Sequence, residues 1–120
     1  MKGETIMKKL CMRPPECCVV IEMEPGATLG YRKAVLLNEI QALGSLRKAA
    51  KVSKIEYAHA LDLVLEMNTV FTAPLVQFLN SPQRTDLVEL TEKGRRTVTS
   101  YWQKFEPVWY SIIEERSRHY

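Results

Sequence analysis

Apolar positions along this chain follow two rhythms, one strand-like and one helical. "CCVVIEME" (17–24) is a β-branched run with an alternating end, which predicts a strand. "PGATLG" (25–30) carries a proline and two glycines and predicts a turn. From Tyr31 to Leu43, Leu36, Ile40 and Leu43 keep helical spacing. Gly44 stands where a helix C-cap belongs, and Ser45 is placed to cap a short second helix over about 46–52. Ser53 and Glu56 form an S-x-x-E capping box for a third helix. Within it Tyr57, Leu61, Val64, Met67 and Phe71 make one apolar stripe, and Pro74 ends it. "LVQFL" (75–79) and "LVEL" (87–90) predict short strands around "NSPQRTD" (80–86). Thr91 caps a final helix over about 91–118, which Pro107 should kink. There Val98, Tyr101, Phe105, Val108 and Ile112 alternate spacings of three and four, a heptad seam that suits a partner helix.

Two helices joined by a tight turn and followed by a β-hairpin define the fold expected here. It is α+β, mainly helical: a winged helix-turn-helix with an N-terminal strand and a long C-terminal dimerisation helix. Its expected core contains Leu36, Ile40, Leu61, Val64, Met67 and Leu90. Residues 1–16 read as an irregular tail, because Pro14 and Pro15 forbid a helix there. Residues 17–120 read as one domain, a size that 120 residues with 46% apolar content supports.

Composition narrows the function classes. Lys and Arg exceed Asp and Glu by 17 to 14, a net charge of +3, too mild to mark a nucleic-acid binder by itself. No stretch approaches the roughly 18 apolar residues that span a bilayer. The start, "MKGETIMKKLCMRPPECC", lacks the apolar segment of a secretory signal, so a cytoplasmic protein without membrane contact is expected. Cys11, Cys17 and Cys18 are an odd set without C-x-x-C spacing, and strand alternation puts Cys17 and Cys18 on opposite faces. A buried cysteine plus a tail accounts for them, although with Met7, Met12 and Met23 they also suit a soft metal ion. No Gly-rich phosphate loop, nucleophile motif or His–carboxylate cluster is present, so neither enzyme chemistry, a metal site nor a cofactor is expected.

Over about residues 19–104 the chain resembles a known family. "GSLRKAAKVSKIEYAHALDLVLEMN", then "PLV", then "LTEKGRR" is similar to the N-terminal DNA-binding domain of ModE-type molybdate-responsive regulators, itself similar to the LysR-type domain. The matching residues are Gly44, Ser45, Ala49, Ala50, Tyr57, Ala60, Asp62, Leu63, Glu66, Met67, Asn68, Pro74, Leu75, Val76, Leu90, Thr91 and Gly94. The chain departs from the family at Lys54, where glycine is usual, at Ala58, where a basic residue is usual, and at Leu61, often Trp. Its wing loop has no glycine and one arginine where the family's is rich in both. The resemblance implies the DNA-binding fold and double-stranded DNA as partner. Molybdate is bound in the family by a separate C-terminal domain with no counterpart here, so no molybdate binding is expected.

Candidate DNA contacts follow from this frame. Arg47, Lys48, Lys51 and Lys54 crowd the supporting helix and the turn, where cations neutralise phosphate. Of the outer face that starts helix three, Lys54 and His59 can donate to base edges, and Ile55 or Ala58 can touch a thymine methyl. Arg84 at the wing tip suits a minor groove or a phosphate. Arg95 and Arg96 suit flanking phosphate or plain solvent. The seam Val98, Tyr101, Phe105, Val108 and Ile112 is the expected homodimer interface. Three readings remain at this point: a homodimeric DNA-binding transcriptional regulator, a winged-helix protein-interaction module that has lost base readout, and a thiol-based metal or redox sensor.

Overall fold

The computed structural model describes residues 19–79 and 81–118, with side chains through Glu115. The three cysteines, the expected tail, Asn80 and His119 lie outside the described residues. The described chain opens on a hairpin, β1 (Val20–Glu24) and β2 (Ala27–Gly30), paired antiparallel with Ile21 opposite Leu29. The turn expected over 25–30 is therefore only Pro25–Gly26, with Gly26 at φ 82°. Residues 27–30 form a second strand because Ala27 and Leu29 alternate inward past exposed Thr28 and are fully buried.

Three helices follow: α1 (Tyr31–Leu43), α2 (Leu46–Val52) and α3 (Tyr57–Val70). Gly44 closes α1 in the left-handed conformation, φ 68°, its N–H donating to Ile40 O. Ser45 caps α2 by accepting the Lys48 N–H at 3.2 Å. The start of α3 differs from expectation. Ser53 is not an N-cap, and Glu56 precedes Tyr57 without making a side-chain cap bond. Residues 53–55 instead finish α2 as a Schellman motif: Ile55 N–H donates to Ala50 O at 3.0 Å and Lys54 N–H to Lys51 O at 3.1 Å. That motif needs a left-handed residue, and Lys54 supplies it at φ 63°. A glycine would adopt this conformation without the steric cost, about 1 kcal/mol, that a β-carbon brings.

The stripe on α3 faces inward with Ala60, Val64 and Met67 buried, and Phe71 just past its end. Leu36, Ile40, Val64, Met67 and Leu90 lie in the core as expected, whereas Leu61 is only partly buried at its edge. α3 stops at Val70, four residues before Pro74. β3 (Val76–Phe78) and β4 (Val88–Leu90) then pair antiparallel, Gln77 opposite Glu89, as the wing. A bridge from Ser45 to Leu87 adds the α1–α2 junction as a minimal third strand.

The last helix, α4 (Glu92–Arg118), runs without interruption through Pro107. Thr91 accepts the Gly94 N–H at 3.0 Å and donates its own hydroxyl to Pro74 O at 2.7 Å. Asn68 fastens the same base of the wing from α3. Its amide nitrogen donates to Val76 O, and its oxygen accepts the N–H groups of Leu75 and Val76. Most of the residues that carry "EMN", "PLV" and "LT-x-x-G" thus hold α3, the wing and α4 together. Glu24 joins the same end: it takes Lys93 at 2.6 Å and the Thr72 N–H at 2.8 Å, and these bonds hold its carboxyl below the usual range.

Candidate nucleic-acid interface

Three of the seven residues of α2 are cations. Leu46, Ala49 and Ala50 turn inward, so Arg47, Lys48 and Lys51 are exposed together on the other side. Arg47 lies over the Tyr57 ring, 4.3 Å from its centroid, a cation–π contact that ties α2 to the first turn of α3. These three cations share an open cleft of about 470 Å³ with Ser45, Gln83, Arg84, Thr85 and Asp86 of the wing. The structure therefore brings Arg84 to the α2 cations.

Arg84 does not project freely from a wing tip. Its Nε and Nη2 donate to the two carboxylate oxygens of Asp86 at 3.2 and 3.3 Å. The Ser45 hydroxyl donates to the same carboxylate at 2.5 Å. Arg84 and then Ser45 hold the Asp86 carboxyl down at about 2, so it is ionised at neutral pH. Sequence reasoning missed Asp86, although an opposite charge two residues from Arg84 was the available signal.

On α3, Ala58, His59 and Asp62 are exposed and Lys54 is exposed in the preceding turn. Ile55 is half-buried and packs against the core, where the Schellman motif carries it. Arg95 donates to Leu90 O, and Arg96 pairs with Glu92 one turn away, so both have partners on the protein.

The expected dimer seam is divided. Val98 and Tyr101 belong to the core of the protomer, at 2% and 0% exposure, and Tyr101 donates its hydroxyl to Val19 O. They are unavailable to a partner because α4 crosses β1 and α1 there. Phe105 is half-buried among the rings of Tyr31, Tyr101, Trp102 and Trp109. Only beyond it does the apolar side open, with Val108 42% and Ile113 39% exposed and Ile112 partly covered. Among the described residues no group of three or more His, Cys, Asp or Glu side chains could hold a metal ion, and no helix is long and apolar enough to cross a membrane.

Supporting helix, tight turn, second helix and a hairpin bridged back to the supporting helix define a winged helix-turn-helix. The chain resembles the ModE regulators. It is 32% identical over 81 residues to the molybdenum transport protein ModE of Azotobacter vinelandii, an alignment covering 68% of this chain and 30% of that protein. It is 32% identical over 90 residues to the transcriptional regulator ModE of Haemophilus influenzae, covering 75% and 35%. The chain thus spans about a third of the length of these curated relatives. Among solved structures it superposes on MepR, a transcription regulator of the Staphylococcus aureus multidrug efflux pump MepA, with a TM-score of 0.57 at 12% identity, covering 95% of this chain and 73% of MepR. That likeness is one of fold. No protein-family model matches the chain. These relatives are named as regulators or transport proteins, not as enzymes.

Proposed function

We propose that the chain is a DNA-binding transcription regulator of ModE-like type that acts in the cytoplasm as a homodimer. One observation carries the reading: exposed Arg47, Lys48 and Lys51 share a cleft with the wing's Arg84 at the junction of α2 and the hairpin. A row of cations at that junction suits a DNA backbone, with α3 in the major groove and the wing beside it. Readout by α3 is thin, since His59 is the one side chain of the Ala58, His59, Asp62 face able to donate to a base. Lys54 adds a cation at the turn. Binding should therefore be dominated by phosphate contacts. Lys48→Ala and Lys51→Ala should each weaken binding equally on specific and random DNA. Each should also flatten the slope of log affinity against log salt by about 0.9. A fluorescence-anisotropy salt titration measures both effects. A parent protein that binds no DNA even at low salt would overturn this reading and leave the interaction module, which the same thin α3 face favours.

The homodimer would use the open half of α4, from Phe105 outward, since Val98 and Tyr101 are inside the protomer. Burying one large apolar side chain contributes about 1.5–3 kcal/mol. Ile113→Glu should accordingly yield a monomer in light scattering with an unchanged circular dichroism spectrum. A monomeric parent at micromolar concentration would refute the dimer.

A further inference from the structure

A buried aspartate stands in a cleft whose other charged residues are all cations, where its charge opposes phosphate. Asp86 is 7% exposed. It takes Arg84 by the Nε–Nη2 edge, and it also takes the Ser45 hydroxyl, whose oxygen accepts the Lys48 N–H. The Asp86 carbonyl accepts the Leu46 N–H at 2.8 Å. One residue therefore ties the wing to the start of α2. Guanidinium donors form a rigid planar fork, so holding one edge fixes the direction of the other. Nη1 of Arg84 makes no hydrogen bond among the described residues, and the side chain is 48% exposed.

We propose that Asp86 is a positioning residue for DNA: it aims the free edge of Arg84 at a backbone phosphate and sets that contact at a fixed place relative to Lys48 and Lys51 across the cleft. The proposal rests on the DNA-binding reading above. An arginine ordered before binding loses less rotamer freedom when phosphate arrives. Asp86 also subtracts a charge from the cleft, and this second effect has the opposite sign. If the carboxylate were a counter-charge only, its removal would strengthen attraction to DNA. If it positions Arg84, its removal weakens binding and deletes one phosphate contact.

The test compares the parent with Asp86→Asn, Arg84→Lys and the double variant on a labelled random-sequence duplex, by anisotropy across a salt series. Arg84→Lys keeps the charge and the Ser45–Asp86 bond but loses the fork. Each single variant should bind several-fold more weakly, with a salt slope shallower by about 0.9. The double variant should be no weaker than the weaker single, because both changes remove the same contact. A merely structural Asp86 would lower the melting temperature and leave the slope unchanged. Equal or tighter binding by Asp86→Asn, an unchanged slope, or additive losses would each overturn the proposal. Should Asp86→Asn fail to fold, Arg84→Lys decides: parent-like affinity and slope overturn the proposal, and a fork-dependent loss supports it. Absence of binding by the parent brings down the DNA-binding reading and this proposal together. Parent binding with unaffected variants brings down this proposal alone.

Discussion

Gly94→Ala should be the most damaging single-methyl change in the protein. Alanine in a helix is ordinarily worth about 1 kcal/mol more than glycine, so propensity alone predicts stabilisation. Packing reverses the sign. A β-carbon on Gly94 would lie 2.1 Å from Leu75 O and 3.0 Å from its carbonyl carbon, and both are backbone atoms. Leu75 cannot step aside, since its carbonyl accepts the Thr91 N–H at 2.9 Å, its N–H is held by Asn68, and its side chain is fully buried. Overpacking of this kind costs about 1–3 kcal/mol, and the close backbone contact puts Gly94→Ala at the upper end. In a domain of this size 3 kcal/mol lowers Tm by roughly 10–15 °C. Gly30→Ala is the matched control: its β-carbon would meet only a Val20 methyl, at 3.8 Å. Thermal melts of the two variants decide the point. A Gly94→Ala protein as stable as the parent would mean that α4 and the Leu75 segment do not touch as described.

Periodicity made the helices and the wing legible, because α1, α3 and the β3–β4 pair each bury one face and so must repeat at 3.6 or 2 residues. Leu36 and Ile40 of α1 and Val88 and Leu90 of β4 show this directly. The errors arose where short-range signals compete. Ser53 and Glu56 have capping-box spacing, but the chain spends residues 53–55 closing α2, and only the left-handed Lys54 reveals it. Ala27 and Leu29 were hidden because three residues between two glycines look like a turn. The α4 seam was legible as apolar but not as divided. A heptad pattern does not say whether Val98 and Tyr101 face their own core or a partner, and here β1 and α1 cover them. Of the candidate site, the α2 cations were legible from charge. The bond from Ser45 to Asp86 was not, because the two are forty-one positions apart in sequence.

Family resemblance was read from residues that turn out mostly to build the scaffold. Gly94, Thr91 and Asn68 fix the wing against α3 and α4. Positions that would meet DNA, Lys54, Ala58 and the wing loop, are where this chain departs from the ModE pattern. A winged helix-turn-helix can keep its architecture while its readout drifts, and the distribution of matches and departures here has that form. It is also why DNA affinity should be carried by phosphate contacts more than by base edges.

Asn68→Ala should show how much of that architecture hangs on one side chain. An asparagine near the end of a recognition helix invites a reading as an adenine contact, since its amide suits the N6 and N7 atoms of that base. Here both ends of the amide are already engaged. The oxygen accepts the Leu75 N–H at 2.9 Å and the Val76 N–H at 3.1 Å, and the nitrogen donates to Val76 O at 2.9 Å. Val76 therefore sends both its backbone groups to a side chain, which closes this edge of β3 in place of another strand. Removing the amide leaves three backbone groups without partners in a half-buried place. A net hydrogen bond contributes about 1 kcal/mol, and an unsatisfied group in such a site costs about 1–3 kcal/mol, so a loss of about 2–4 kcal/mol is expected, moderated where water reaches the groups. The damage should be local before it is global. Hydrogen exchange of the Leu75 and Val76 amides should accelerate in Asn68→Ala well beyond that of Leu36 or Ile40, which lie in α1, away from the clamp. DNA binding should weaken on all sequences alike, because the wing and α3 lose their fixed relation. Selective loss at one base position, with the Leu75 and Val76 amides still protected, would instead make Asn68 a reader of DNA.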